Sequence, residues 1–240
     1  MPMAGEGKRF SEVGIMVPKP YIEIQGKPFY FWAANSVLRA TSAISNLVFI
    51  IQKSHSQLHA AKSKIINDFP SAKILEIEEV TGGALETALL GLALVNDSDP
   101  LLINDCDHAF KFSKLTDAMK ELNTQKIDGF LAHFKSASIN YSYAKYSDQG
   151  KLLQTAEKKV ISDLAIAGIY GFSSRMLIEN LADTYLEINK YNESYLSGLY
   201  NILVNDGKTV LGFELDQHLS FGTPLEFEIA KDVDIDNLIS

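Results

Sequence analysis

Two carboxylates one residue apart, Asp105 and Asp107, stand just beyond the apolar run 101–104. Paired Asp oxygens suit a hard divalent cation such as Mg²⁺, which bridges phosphate oxygens. Near the start of the chain, residues 3–10 read Met-Ala-Gly-Glu-Gly-Lys-Arg-Phe, and Pro18-Lys19-Pro20 follows. The glycines Gly5 and Gly7 let backbone N–H groups approach a phosphate, while Lys8, Arg9 and Lys19 bring positive charge to the same place. A triphosphate is the natural ligand of such a loop. The flanking prolines stiffen the chain around Lys19.

Two more segments carry polar groups at the edges of periodic runs. Thr81-Gly82-Gly83 opens an apolar run, and Glu157-Lys158-Lys159 is followed by Ala167-Gly168-Ile169-Tyr170. Each of the four segments also has a plainer reading. The first can be a glycine-rich surface turn, Asp105 and Asp107 a loop start or helix cap, Thr81 an N-cap, and the Glu-Lys group a solvated charge cluster. His55 and His59 have the spacing of a helical metal pair but no third ligand nearby, and a surface helix accounts for them. Residues 207–209, Gly-Lys-Thr, imitate the end of a P-loop without its upstream glycine, so a turn accounts for them better.

The elements that must position these groups follow an αβ rhythm. Strands are predicted at 47–52, 72–77, 101–104 and 129–134, alternating with helices at 55–67, 83–95 and 114–123. This alternation implies a mostly parallel sheet covered by helices on both faces, with the carboxylates at a strand end where ligands bind. After residue 140 come three extended segments in a row, 142–146, 151–156 and 164–172, which predict mixed or antiparallel sheet. Helices at 174–188 and 195–205 and a strand at 209–215 complete the pattern. A phosphate-binding loop ordinarily follows a strand, and only residues 1–4 could supply one here.

With 240 residues and 46% apolar composition the chain can bury a large core, and we expect one domain over 1–240. A formal charge of −8 disfavours a nucleic-acid partner, although local Lys and Arg can still hold small anions. No apolar run approaches the ~20 residues of a spanning helix, so no membrane partner is expected. The single cysteine, Cys106, cannot form an internal disulfide, and the start of the chain has no leader-like pattern, which leads us to expect a cytoplasmic protein. Tyr185, Tyr191 and Tyr195 are candidate aromatics for a homo-oligomer interface.

Taken in order, these segments resemble the sugar-nucleotidyltransferase (nucleoside-diphosphate-sugar pyrophosphorylase) family over roughly residues 3–230, most specifically in the Gly-x-Gly-x-Arg-Phe loop followed by Pro-Lys-Pro. The resemblance implies a single-domain α/β fold, a Rossmann-like, GT-A-like three-layer αβα sandwich on a mostly parallel mixed sheet. It implies Mg²⁺-dependent transfer of a nucleotidyl group from an NTP to a sugar 1-phosphate, with release of pyrophosphate. Ala4, Gly5, Gly7 and Lys8 would wrap the NTP phosphates, and Arg9 would contact the leaving pyrophosphate. Lys19 would contact phosphate at the reacting centre. Thr81, Gly82 and Gly83 would read the base, and Glu157, Lys158 and Gly168 would hold the acceptor. The metal aspartate falls on Asp107, with Asp105 the second choice.

The sequence departs from the family in two places. Glu78, Glu79 and Val80 stand where several relatives place a glutamine that helps select the base, and Ser220 stands where many place a second metal aspartate. Asp216 is a candidate substitute. Three other readings stay open: cytidylyl transfer to phosphocholine or another non-sugar phosphate, a metal-dependent glycosyltransferase using Asp105-Cys106-Asp107, and a non-catalytic nucleotide-binding homologue.

Overall fold

A computed structural model describes residues 1–5 and 7–240. A one-turn helix, α1 (Lys8–Ser11), follows the glycine loop, and a short hairpin, β1 (Glu23–Ile24) and β2 (Lys27–Pro28), leads into helix α2 (Phe29–Ala40). The sequence gives no helical signal for α2, because four aromatics in succession, residues 29–32, mask the 3.6-residue period. Burial explains them: Phe29, Tyr30, Trp32, Ala33, Ala34 and Val37 are all buried.

Strand β3 (Val48–Gln52) precedes α3 (Lys53–His59) and α4 (Ala61–Asp68), and β4 (Lys73–Ile77) returns parallel to β3. One helix is expected over 55–67, but the chain breaks at Ala60, which is left-handed with φ 53°. In an unbroken helix Ala61 would lie about 120° around the axis from His55. The break lets both reach the interior, together with Ile65.

Next come α5 (Ala84–Gly91), β5 (Leu101–Asn104), β6 (His108–Lys111), α6 (Leu115–Asn123) and β7 (Gly129–Lys135). They are followed by β8 (Ser142–Tyr146), β9 (Leu152–Glu157), β10 (Leu164–Phe172), α7 (Arg175–Ile188) and α8 (Leu199–Asn205). The chain closes with β11 (Val210–Glu214), β12 (Gln217–Ser220), α9 (Pro224–Ala230) and α10 (Ile235–Leu238).

The sheet is mixed. On one side, backbone bonds from Ile50 N to Met1 O (3.1 Å) and Met3 N to Ile50 O (2.8 Å) lay the first residues parallel to β3. On the other, β10 pairs antiparallel with β5, β7 and β8, and β11 runs parallel to β7. Alternate residues of β7 face opposite ways, as the strand period of two requires. Leu131 packs with α5, α7 and α8 on one face, while Phe130 and Ala132 pack with α2 and α6 on the other. That arrangement makes the three layers. No helix among the described residues is long and apolar enough to cross a membrane.

A cavity of about 570 Å³ opens beside the first residues of β3 and β5, bordered by Leu47, Val48, Pro100 and Leu101. Asp105 and Asp107 lie beyond the opposite, C-terminal end of β5.

Candidate active site

The glycine loop and the Pro-Lys-Pro turn pack directly on each other. Gly7 caps α1 in a left-handed conformation, φ 65°, and a Cβ there would lie 3.1 Å from Lys19 Cβ and 3.2 Å from Lys19 N. Glycine supplies both the conformation and the space. Ala4 is buried, with its carbonyl accepting from Gln52 Nε2 at 2.6 Å, whereas Gly5 and Arg9 are exposed. Pro18 and Pro20 set Lys19 in a short 3₁₀ turn, and its ammonium donates to Asp107 Oδ2 at 2.8 Å. Residues 88 positions apart in the sequence thus form one ion pair.

Burial and charge act together on this group. Burial raises the carboxyl pKa of Asp105 to about 7, and the neighbouring Asp107 adds to the rise. Burial works the same way on Asp107, but Lys19 outweighs it and holds Asp107 below the usual carboxylate range. Lys19 in turn is raised, burial being overcome mainly by the charge of Asp107 and by the hydrogen bond to it. The two carboxylates differ because Lys19 pairs with Asp107 and not with Asp105, which burial therefore dominates. The Cys106 thiol is buried and pushed up to about 12, mainly by desolvation, which leaves it protonated and unreactive.

Asp105 owes its place to Gly168. The Asp105 amide donates to Gly168 O at 2.8 Å. Gly168 has φ 74°, and a Cβ there would stand 2.7 Å from Asp105 Oδ2. The β10–β7 register slips between Ile166 and Tyr170, so this glycine sits in a bulge that brings β10 against the carboxylate. Gly222 does the same for Asp107, with a Cβ falling 2.5 Å from Oδ2.

Of the other expected groups, Glu157 is near enough to Asp105 for its charge to add to the rise there. Gly83, N-cap of α5, has φ 156°, and Gly82 N donates to Glu86 Oε2 at 2.9 Å. Thr81, expected as the cap, instead donates its hydroxyl to Gly83 O at 3.0 Å and shares a bond with Thr87. Glu157 Oε2 accepts from Ser142 Oγ and, at 3.1 Å, from Ser197 Oγ. Lys158, left-handed at φ 50°, donates Nζ to Tyr195 Oη at 2.7 Å.

Asp216 is not brought to this centre. Its oxygens accept from Ser113 N (2.6 Å) and Ser113 Oγ (3.0 Å), and its amide donates to Lys111 O. The β12–β6 ladder runs from Gln217 opposite Lys111 to Ser220 opposite His108, so Asp216 and Asp107 flank opposite ends of it. The five rises of strand from one flank to the other put them about 17 Å apart. Tyr185 is likewise buried in the core beside α8 and offers no interface surface, whereas Tyr191 is exposed.

An Mg²⁺ ion fits the chemistry of Asp105 and Asp107. Both donors are hard carboxylates, and Lys19 engages only Oδ2 of Asp107, so other carboxylate oxygens stay available to a cation. Among the described residues no group of three or more His, Cys, Asp or Glu could hold a metal alone, so ligand phosphates or water must complete the coordination. Ser142, Ser194 and Ser197 carry no spacing signal in the sequence, and Tyr195, read there as an interface aromatic, instead accepts from Lys158.

A glycine loop packed on a lysine–carboxylate pair at a strand end, carried by a three-layer α/β frame, is an arrangement suited to phosphate chemistry. The family model described as nucleotidyl transferase matches residues 3–224. The chain belongs to that family. Its structure is similar to that of a nucleoside-diphosphate-sugar pyrophosphorylase from Vibrio cholerae RC9, at 26% identity and TM-score 0.82, covering 97% of this chain and 98% of that one. An inositol-1-phosphate CTP transferase from T. maritima shares the fold at 16% identity and TM-score 0.74, over 99% and 93% of the two chains. A glucose-1-phosphate thymidylyltransferase from Bacillus anthracis, described as putative, shares it at 15% identity and TM-score 0.75, over 97% and 94%. No curated protein matches the chain.

Proposed function

We propose that this nucleotidyltransferase joins the nucleotidyl group of an NTP to a sugar 1-phosphate, releasing pyrophosphate and forming a nucleotide sugar. The observation that carries the proposal is the Lys19–Asp107 pair at 2.8 Å, set against the Gly7 loop on one side and Gly222 on the other. An acceptor phosphate oxygen attacks the α-phosphorus in line. The new P–O bond forms as the bond to the bridging α–β oxygen breaks, and that electron pair leaves with pyrophosphate. No covalent enzyme intermediate is involved.

Lys19 stabilises charge at the α-phosphorus, and Arg9, exposed beside the loop, stabilises the departing pyrophosphate. Ala4, Gly5, Gly7 and Lys8 bind the phosphates, and Thr81, Gly82 and Gly83 take the base. Asp107 and Asp105 would hold Mg²⁺, which would supply positive charge against the phosphates. Glu157, already the acceptor of two serine hydroxyls, suits the hydroxyls of a sugar, and Lys158 suits its phosphate.

Pyrophosphate release with Mg²⁺, crossing CTP, UTP, dTTP, GTP and ATP against sugar 1-phosphates and phosphocholine, tests the assignment. Turnover with a sugar 1-phosphate is expected; turnover with phosphocholine alone, or none with any pair, would sink it. Lys19→Ala and Asp107→Asn should each lower kcat by about 10²–10³ with the far-UV dichroism unchanged. Near-normal turnover in either variant would remove that residue from the mechanism.

A further inference from the structure

One stretch, residues 194–197, touches both halves of the site. Ser194 N donates to Gly82 O at 2.9 Å, and Leu85 N donates to Ser194 O at 3.0 Å. A Cβ on Gly83 would lie within 2.5–2.6 Å of Ser194 N, O and Oγ, so the two backbones meet with no room between them. The next residue reaches the other half: Tyr195 Oη accepts from Lys158 Nζ at 2.7 Å, and the same ammonium lies 5.0 Å from the ring centroid. Two positions further, Ser197 Oγ donates to Glu157 Oε2 at 3.1 Å while Ser197 O accepts from Thr155 Oγ1 at 2.7 Å. Asn201 completes the attachment by binding Thr155 N (2.8 Å) and Thr155 O (3.1 Å), as a paired strand would.

Resting on the acceptor role given above to Glu157 and Lys158, we propose that residues 194–197 are a strap tying the base-reading turn to the acceptor clamp. Tyr195 and Ser197 are its positioning residues. A lysine ammonium on a long flexible stem is poorly aimed by itself, and Lys158 starts from a left-handed backbone that a lysine holds only when its surroundings fix it. Tyr195 fixes the ammonium, leaving two of its three N–H donors for an acceptor phosphate. Ser197 does the equivalent for Glu157, orienting one oxygen and leaving the other for an acceptor hydroxyl. Because Ser194 is hydrogen-bonded to the turn at Gly82 and Leu85, the clamp is built onto the nucleotide half and not onto a separate loop.

The test compares Tyr195→Phe and Ser197→Ala with the wild type in the full chain, using the sugar 1-phosphate it turns over. The KM for acceptor should rise roughly tenfold in each, the scale of a lost hydrogen bond to a charged group, with KM for NTP unchanged and kcat within about twofold. Tyr195→Phe should add nothing in a Lys158→Ala background, and Ser197→Thr should restore the wild-type value. Equal rises in both KM values, or an additive effect with Lys158→Ala, would overturn the strap. A wild type that releases no pyrophosphate counts against the nucleotidyl-transfer reading and leaves the strap to a second measurement. NMR titration of the Lys158 ammonium should show a lower pKa in Tyr195→Phe, and an unchanged one rejects the proposal.

Discussion

At the scale of single residues, two glycines decide where the carboxylates sit. Gly168 has a left-handed backbone that alanine adopts at a cost of about 1–2 kcal/mol. A methyl there would also drive into the Asp105 carboxylate, 2.7 Å away. Gly168→Ala should therefore lower stability by at least that amount, read from urea unfolding, and lower kcat beyond anything the loss of folded protein explains. A variant with full specific activity would show that Asp105 can move freely. The acceptor role that family resemblance assigns to Gly168 thus acquires a second, structural reason, which is to hold the bulge that aims Asp105.

At the scale of elements, the turn carrying Gly222 is anchored by the helix after it. Thr223 Oγ1 accepts from Glu226 N at 3.3 Å, and Glu226 Oε2 accepts from Thr223 N at 2.9 Å, a reciprocal capping box with Pro224 at the first helical position. Tyr141 Oη donates to Glu226 Oε1, linking α9 to the residues before β8. Thr223→Ala should cost about 1 kcal/mol in a thermal or urea melt. It should also reduce turnover, because Gly222 is the residue against Asp107. A melt indistinguishable from wild type would mean the cap contributes nothing. Element boundaries followed the sequence where periodicity was clean, as in β5 at 101–104. They departed from it where packing intervened, as at the Ala60 break and in the aromatic start of α2.

At the scale of the whole molecule, the pH dependence of stability is set by buried histidines against one buried aspartate. Burial lowers His55 to about 4, with His59 adding to the effect, and burial again takes His108 to about 4 and His218 well below its usual value. The unfolded chain protonates these groups near pH 6.5 and the folded chain does not. Their contribution is therefore present above pH 6.5 and is lost as pH falls toward the folded values. Asp105, raised to about 7, runs the other way: its contribution is present at low pH and lost as pH rises through 7. Burial lowers His133 in the same way, and four histidines outweigh one carboxyl, so Tm should fall between pH 7 and 4.5. His55→Gln should flatten the fall by an amount on the order of 1–3 kcal/mol, and an identical slope in the variant would exclude His55 as a contributor.

Local patterns alone set the alternation of strands and helices, the glycine-containing loop followed by Pro18-Lys19-Pro20, and the strand that ends in Asp105 and Asp107. These are local patterns, read from period, glycine and charge within a few residues. Only the tertiary structure decided that Lys19 reaches Asp107, that Gly168 and Gly222 abut the two carboxylates, and that Asp216 turns to Ser113 instead. It also decided that residues 194–197 join the Gly82 turn to Glu157 and Lys158. Each of these contacts spans tens of residues or more and is fixed by sheet register and core packing, to which no short stretch of sequence has access.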